Sequence, residues 1–389
     1  MKADYDVVVV GSGPGGATTA KFASEAGLRV LLLDKRQELG APVQCSGAVS
    51  RHALLENEVI ISDEFIQEAI YGFSIYHSSG ENIQTDYRLL KPEEYGTAEG
   101  RVPLGYVVDR RRFDRYLMTH AERHGVEVLL KAEALDMQIE SGLAILKVRH
   151  FNEELNIRCS VVVAADGLQS QVGKWAGLQT HIKFTELASC LQFVTDGVEA
   201  DGLLEIITGH KWAPGGYAWV FPKGHGYTEI GLGVICSMTP HNAQQHLDQF
   251  LKNSFMKERF KNAKILEVQG GGVPLSHPLR TQYANNLILV GDAARQVNPI
   301  TGGGIHTALT AGRIAGKFLA QHLQNSSDFS AQSMSQYQDL WMAANGKKMW
   351  ELYEIKSSIF RMDNIEERDQ ALYKTMSEYF SPNSPFKKI

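Results

Sequence analysis

The sequence has little cysteine, and its four cysteines are scattered. Cys45, Cys159, Cys190 and Cys236 form no Cys-x-x-Cys motif and no cluster with histidine among the 389 residues. Zinc sites and disulfide frameworks depend on such spacings. We therefore expect no bound metal, and a cytoplasmic location in a reducing compartment.

Long apolar runs and blocks of like charge are also missing. The apolar stretch near the N-terminus is too short to span a bilayer, is broken by glycines, and has Asp4 and Asp6 beside it. We expect it to be neither a transmembrane helix nor a signal peptide. The net charge is −5 with no basic block, so nucleic acid is not an expected partner.

The chain begins with a strand–glycine–helix–strand pattern. A valine-rich run leads into Gly11-x-Gly13-x-x-Gly16, small residues follow at helical spacing, and a second apolar run ends in Asp34. Such glycines allow a tight turn, the approach of a pyrophosphate and close helix packing, while the helix N-terminus attracts phosphate. Asp34 suits a ribose hydroxyl pair and disfavours a 2′-phosphate. The pattern predicts a dinucleotide site, and leaves FAD and NAD both open.

A second strand–glycine–helix pattern lies near residue 300. An apolar run ends in Gly291-Asp292, and Gly302-Gly303-Gly304 precede a helix of small residues. Glycines at a helix start expose backbone N–H groups. Two such units, far apart in the chain, suit a long dinucleotide with a ring system at its far end.

Three further segments carry candidate site residues. Cys45 lies in a glycine-rich loop after the first acidic residue, where an ordinary buried thiol is the alternative. Arg110 follows Asp109, the predicted N-cap of a helix that runs to about residue 124. Asp166-Gly167 closes a buried strand and is either a ligand-side loop or a simple turn.

Residues 180–275 are rich in strand-like runs separated by turn glycines, which predicts a mostly antiparallel second lobe. Tyr217, Trp219 and Phe221 fall on one face of a strand there, either as core or as an apolar ligand wall. Further expectations are a loop around Pro92 and Gly96, one amphipathic helix over 241–262, and helices after residue 326 that pack on the second lobe or contact a membrane surface.

Together these motifs resemble FAD-containing flavoproteins of the para-hydroxybenzoate hydroxylase fold. Within them, Pro42-Val-Gln-Cys45 and Tyr217-x-Trp219-x-Phe221-Pro222, followed by Gly231-x-Gly233, resemble the geranylgeranyl reductase family. The resemblance implies an α/β fold: a Rossmann-type FAD-binding domain, an inserted, mostly antiparallel β-sheet lobe for the substrate, and C-terminal helices. The implied segments are 1–60, 101–178 and 276–325 for the FAD-binding domain, 61–100 and 179–275 for the lobe, and 326–389 for the helices.

The resemblance also implies roles for residues. Those assigned to FAD are Gly11, Gly13, Pro14, Gly15, Gly16, Asp34, Lys35, Cys45, Gly47, Arg110, Asp166, Gly167, Gly291, Asp292, Pro299, Gly302, Gly303, Gly304 and Ile305. Those assigned to an isoprenoid chain are Tyr217, Trp219, Phe221 and Pro222. Cys45 is also the catalytic candidate, since a thiol is mostly protonated at neutral pH and can give a proton to an alkene carbon.

The implied activity is FAD-dependent reduction of geranylgeranyl double bonds in a membrane lipid, an oxidoreductase acting on CH–CH groups. The electron donor would be ferredoxin or NAD(P)H, with transient contact at a membrane surface. The chain reads Cys45-Ser-Gly where archaeal lipid enzymes have Cys-x-Glu-Gly. Phospholipid, quinone, prenyl diphosphate and chlorophyll-type substrates therefore all stay open.

Other functions on the same fold stay open too. One is an aromatic hydroxylase or monooxygenase; its halogenase variant is disfavoured by the lack of a Trp-x-Trp-x-Ile motif. A second is a quinone-linked flavoprotein dehydrogenase, although the cysteines do not suit an iron–sulfur cluster. A third is a module that binds flavin or lipid without catalysis.

Overall fold

The computed structural model describes residues 2–90, 102–381 and 384. The loop predicted around Pro92 and Gly96 lies outside the described residues. The helices are α1 Pro14–Glu25, α2 Arg51–Glu56, α3 Arg110–Arg123, α4 Gln171–Trp175, α5 Ala243–Asn253, α6 Lys257–Phe260, α7 Ile305–Asn325, α8 Ala331–Trp341, α9 Lys347–Phe360 and α10 Ile365–Tyr379.

The strands form three sheets. They are β1 Tyr5–Val10, β2 Val30–Asp34, β3 Ala48–Ser50, β4 Ile66–Ile70, β5 Gly72–Tyr76, β6 Asn82–Asp86, β7 Gly105–Val108, β8 Glu127–Leu130, β9 Ala132–Glu140, β10 Leu143–His150, β11 Glu153–Ala164, β12 Leu187–Asp196, β13 Leu203–Thr208, β14 Tyr217–Pro222, β15 Thr228–Ile235, β16 Lys264–Pro274, β17 Tyr283–Ala284 and β18 Leu287–Leu289.

The first sheet holds the N-terminal glycine motif at its centre. β1 pairs in parallel with β11 on one side and β2 on the other, and β8 and β18 extend the parallel part. Val7 and Val9 face α1 and α7, while Val8 and Val10 face the antiparallel strands β9 and β10. A strand covered on both faces reads as a continuous apolar run, which is why β1 is a string of valines. The glycine turn lies at the C-terminal end of β1 and leads into α1.

The second sheet has seven strands in the order β16-β12-β15-β14-β13-β5-β6. All neighbours are antiparallel except β13 and β5, which are parallel. Trp219 and Phe221 belong to the core cluster that reaches β1 and α7. Ala218 and Val220, which alternate with them on β14, pack under α5 instead. The aromatic side chains therefore share the face toward the first sheet, as the period of two predicts.

The third sheet is β3-β7-β4, and β4 runs directly into β5 of the second sheet. β7 pairs antiparallel with both β3 and β4 and ends directly before α3. The predicted segment boundaries assign β4 to the inserted lobe and its partners to the FAD-binding domain. These boundaries stay a prediction.

One predicted helix is wrong. Residues 241–262 form α5 and α6 rather than a single helix, because the backbone of Ser254 is extended and ends α5. At the C-terminus, α8 packs on β17 and β18 of the first sheet, and α10 packs on β5 and β13 of the second. Within the described part of the chain, no helix has the length and apolarity needed to cross a membrane.

Candidate active site

The glycine motif forms a close-packed turn with one open position. A Cβ on Gly16 would lie 1.9 Å from the carbonyl oxygen of Gly11, so any side chain there clashes with backbone. A Cβ on Gly13 would meet no atom within 4 Å. The turn is thus packed against the protein at Gly16 and open at Gly13, as a backbone that receives a pyrophosphate requires.

The helices that follow the two glycine motifs lack side-chain caps. Gly13 is the N-cap of α1 and Gly304 the N-cap of α7, and neither has a side-chain hydrogen bond to satisfy the free N–H groups. Several other helices are capped by their own side chains. These N-caps are Ser50, Asp109, Ser170, Asn242, Ser330 and Asn364. Uncapped N–H groups at α1 and α7 fit an anionic ligand at both positions.

Asp34 lies at the end of β2 with its carboxylate buried. It accepts a hydrogen bond from the Ser12 backbone N–H at 3.0 Å and pairs with Arg36 through Nη2 at 2.7 Å. Burial raises the pKa of Asp34, but hydrogen bonds from Arg36 and Ser12 outweigh it and hold the pKa below its ordinary value. Lys35 is exposed instead. Arg36 is the charged partner that sequence reasoning missed, one position further on.

Arg110 lies in the first turn of α3 and is held by Asp114 one turn later. Its Nε and Nη2 are 3.0 and 3.1 Å from the two carboxylate oxygens of Asp114. Burial opposes its charge, yet Asp114 and the Cys45 thiol raise the pKa of Arg110. Burial also opposes the charged form of Asp292 and raises its pKa, whereas the Arg110 charge lowers it. The Arg110 charge therefore acts on both the Cys45 loop and the Asp292 carboxyl group.

The loop that carries Cys45 lies flush against the end of β7. A Cβ on Gly47 would lie 2.3 Å from the carbonyl oxygen of Val108, and Gly47 has a φ of +83°. The backbone N–H of Gly47 points to Cys45 Sγ at 3.4 Å. Gln44 contacts Gly271 of β16 on the other side. The loop therefore places the thiol between α3 and the seven-stranded sheet.

The register of the seven-stranded sheet sets the wall opposite Cys45. Gly271, Cys190, Gly233 and Tyr217 are cross-strand neighbours in one row. Burial raises the pKa of both Cys190 and Tyr217, and the nearby Cys45 adds a smaller rise to each. The Tyr217 hydroxyl donates a hydrogen bond to the carbonyl of Thr301, immediately before the three glycines. The two glycines in this row let the Cys190 and Gln44 side chains pack closely against the strands, since a Cβ on Gly233 would lie 2.9 Å from Cys190 Sγ and one on Gly271 would lie 3.1 Å from Gln44.

The next row continues this wall. The Trp219 ring lies over Gly231, and its ring centroid is 5.8 Å from that of Tyr217. Phe221 follows with a centroid separation of 6.3 Å from Trp219. Gln192 and Gln269 are buried in the Trp219 row and are hydrogen-bonded to each other at 2.5 Å. The wall is mainly apolar, and this amide pair is one of its polar parts.

Comparisons with known proteins agree with this geometry. Residues 4–338 match the FAD binding domain family. A digeranylgeranylglycerophospholipid reductase from Methanosarcina acetivorans is 38% identical over 349 residues, 89% of this chain and 82% of the relative. One from Methanothrix thermoacetophila is 36% identical over 376 residues, 96% and 92% of the two chains.

The chain belongs to the digeranylgeranylglycerophospholipid reductase family.

A solved structure with a related sequence has the same fold. A geranylgeranyl bacteriochlorophyll reductase-like protein from Thermoplasma acidophilum superposes with a TM-score of 0.86 at 31% identity, covering 98% of this chain and 97% of its own. A flavin-dependent halogenase, at 17% identity and a TM-score of 0.72 over 98% and 71% of the chains, shares the fold alone. The predicted fold class and the FAD cofactor are confirmed.

Two family-assigned positions have other structural partners. Asp166 Oδ2 accepts a hydrogen bond from the backbone N–H of Val172 at 3.1 Å at the start of α4, and burial raises the pKa of Asp166. Gly167, with a φ of +81°, makes the turn between them. Pro299 lines a small cleft beside Tyr217 that Lys356 of α9 also lines. Lys356 was not among the site residues predicted from the sequence.

Proposed function

We propose that this protein is an FAD-dependent reductase that saturates geranylgeranyl double bonds in a membrane lipid of the digeranylgeranylglycerophospholipid class. The observation that carries the proposal is a hydrogen bond between the aromatic wall and the glycine loop before α7. The Tyr217 hydroxyl donates it to the backbone carbonyl of Thr301. An apolar chain along the wall would lie against the glycine loop of α7. The family relatives act on isoprenoid lipids, as their names state.

The proposed cofactor contacts use backbone groups at both ends of FAD. Gly13 and its neighbours at the start of α1 would hold the pyrophosphate, and Asp34 the adenosine ribose. Asp292 would bind the ribityl chain, and Gly304 with Ile305 would direct N–H groups to the ring edge that is negative in reduced flavin. The absence of side-chain caps at the N-termini of α1 and α7 supports these backbone contacts.

FAD supplies a hydride to one alkene carbon when it is bound and reduced. The second carbon then needs a proton, and we assign its donation to Cys45. The S–H bond breaks, a C–H bond forms, and a thiolate is left behind until solvent returns the proton. The Arg110 guanidinium lies beside the thiol. Arg110 itself is kept in place by Asp114.

The aromatic wall would supply most of the substrate affinity. Tyr217, Trp219 and Phe221 line one face of β14 beside the glycines of β15, and Pro222 ends the strand. Burying hydrocarbon contributes about 0.8 kcal/mol per CH₂ group. An isoprenoid chain can therefore be held without polar contacts, so that it can shift along the wall between successive double bonds.

The electron donor, the membrane contact and the location belong to the same proposal. Only one dinucleotide fingerprint is recognised in the sequence. Ferredoxin or a transiently bound NAD(P)H would therefore reduce the FAD. Phospholipid chains are reached from a membrane surface, so we propose a cytoplasmic protein that contacts the membrane during turnover.

The test is a substrate panel. The purified protein is reduced with dithionite and offered digeranylgeranyl phospholipids, menaquinone and prenyl alcohols, and the products are weighed by mass spectrometry. We expect the phospholipids to gain two hydrogens per double bond. Gain only on quinone or alcohol, or oxygen-dependent hydroxylation, would overturn the substrate assignment.

A matched pair of cysteine variants tests the proton donor. We expect Cys45→Ser to keep FAD and lose most alkene reduction, because a serine hydroxyl is a far weaker acid than a thiol. Cys236→Ser, in the loop after β15, should retain both. Full activity in Cys45→Ser would dismiss the assignment.

A further inference from the structure

A buried ion pair lies at the far end of the aromatic wall. Lys223 follows β14, and Glu229 lies on β15 directly opposite Phe221. Their side chains are 7% and 0% exposed, and Lys223 Nζ lies 3.0 Å from Glu229 Oε2. The activity proposed above gives neither residue a role.

Each member of the pair also reaches a different part of the site. Lys223 Nζ donates a hydrogen bond of 3.0 Å to the carbonyl of Ser46, the residue after Cys45. Trp219 Nε1 donates one of 3.1 Å to Glu229 Oε1. A continuous chain of contacts therefore runs from the Cys45 loop through the two charges to the central aromatic ring.

Fold stability is a poor explanation for this arrangement. Removing two charges from water costs several kcal/mol per ion, and replacing such pairs by apolar residues is often neutral or stabilising. What the pair does provide is two anchored contacts, because Lys223 donates to the Ser46 carbonyl and Glu229 accepts from the Trp219 indole. The Ser46 carbonyl and the Trp219 ring are thereby held in one frame.

We propose that Lys223 and Glu229 are positioning residues that set the placement of the Cys45 thiol relative to the Trp219 wall. Lys223 anchors the loop through the Ser46 carbonyl, and Glu229 orients the indole. The hydrogen bonds of the pair go to the Ser46 carbonyl and to the indole Nε1. This inference rests on the proposed function for its catalytic consequence, but its structural part is independent of any substrate.

The first test therefore needs no substrate. The rate at which iodoacetamide alkylates Cys45 is measured by peptide mass spectrometry on the FAD-loaded protein. We expect Lys223→Met to raise this rate roughly fivefold to thirtyfold, the factor for losing about 1–2 kcal/mol of local stabilisation. Lys147→Met, which breaks an exposed pair with Glu154 on the β10–β11 hairpin, is the control and should leave the rate unchanged.

A double variant separates positioning from stability and also serves if Lys223→Met does not fold. Lys223→Met with Glu229→Gln leaves no unpaired buried charge, so its melting temperature should return toward wild type. We expect its Cys45 alkylation to stay fast. If the lipid is a substrate, the kcat of the double variant should fall while its KM changes little. Lys223→Arg, which keeps the positive charge, should retain part of the wild-type kcat.

The outcomes are distinct. If Cys45 is alkylated at the wild-type rate in the FAD-loaded Lys223→Met variant or in the double variant, the proposal is overturned, whatever the substrate proves to be. Fast alkylation together with full kcat would overturn its catalytic part. Absence of alkene reduction in the wild type would overturn the proposed function alone, with the alkylation result still deciding the positioning role.

Discussion

The Tyr217 hydroxyl donates a hydrogen bond to the carbonyl of Thr301. Tyr217 begins β14 of the seven-stranded sheet, whereas Thr301 belongs to the loop that leads into α7 beside the first sheet. The aromatic wall and the cofactor loop are thus tied at one point. The spacing between them is set by a phenol ring rather than by a flexible side chain.

Removing that hydroxyl should loosen the spacing. We expect Tyr217→Phe to lose about 1 kcal/mol of unfolding free energy, the usual net value of a hydrogen bond. FAD should be retained and turnover should fall severalfold, measured by denaturant unfolding and lipid mass gain. Tyr227→Phe removes a 43% exposed phenol and is the control. Unchanged stability and turnover in Tyr217→Phe would show that the contact has no role.

The open position in the glycine motif gives a second prediction. Gly13 has a φ of −64° and free space around it, so Gly13→Ala should fold normally. The added methyl group would occupy the space needed by the pyrophosphate, so we expect FAD to bind at least about tenfold more weakly, or ~1.4 kcal/mol. Gly16→Ala, in contrast, should lose the fold and FAD together. Wild-type FAD affinity in Gly13→Ala would place the pyrophosphate elsewhere.

Arg36 gives a third prediction, with a defined pH dependence. Arg36 holds the pKa of Asp34 below its ordinary value of 3.8, so its contribution is present above that pH and is lost as pH falls through the lowered pKa. Arg36→Met should therefore cost about 2 kcal/mol of unfolding free energy at neutral pH. The difference from wild type should shrink in acid. A pH-independent difference would contradict the pairing.

Lys356 gives a fourth prediction, in which the substitution raises the free energy of unfolding instead of lowering it. Burial lowers its pKa to about 8 from 10.5, against a smaller opposite effect of Glu186. Between these values the unfolded chain binds more protons, so this group makes stability rise with pH. Lys356→Met should be about 1–3 kcal/mol more stable than wild type at pH 7, with the gain shrinking between pH 8 and 10.5. Lower stability at pH 7 would mean that the lost hydrogen bond to the Leu275 carbonyl dominates.

Local pattern was enough to predict the cofactor half of the fold. β1, α1 and β2 are contiguous, their apolar periods are clear, and each glycine has a local conformational reason. The helix α3 with its Asp109 cap was predicted for the same reason. The role of Asp34 was also predicted from its position, but its pairing with Arg36 was not, because a strand end does not reveal which neighbouring side chain turns inward.

What could not be predicted depends on register between distant strands. Glu229 is opposite Phe221, and Lys223 reaches Ser46, only once β14 and β15 are paired and the Cys45 loop is placed on them. The parallel pairing of β5 with β13 and the break of the predicted helix at Ser254 are of the same kind. The residue-level roles of the cofactor and substrate contacts stay predictions until measured.

The most direct measurement is a single anaerobic turnover. FAD-loaded protein is reduced with one equivalent of dithionite and mixed with digeranylgeranyl phospholipid, while the visible absorbance of oxidised flavin and the lipid mass are followed together. We predict that flavin absorbance returns without oxygen and that one double bond gains two hydrogens per flavin reoxidised. A colourless protein that takes up no FAD, or reduced flavin that persists unchanged with the lipid, would contradict the account.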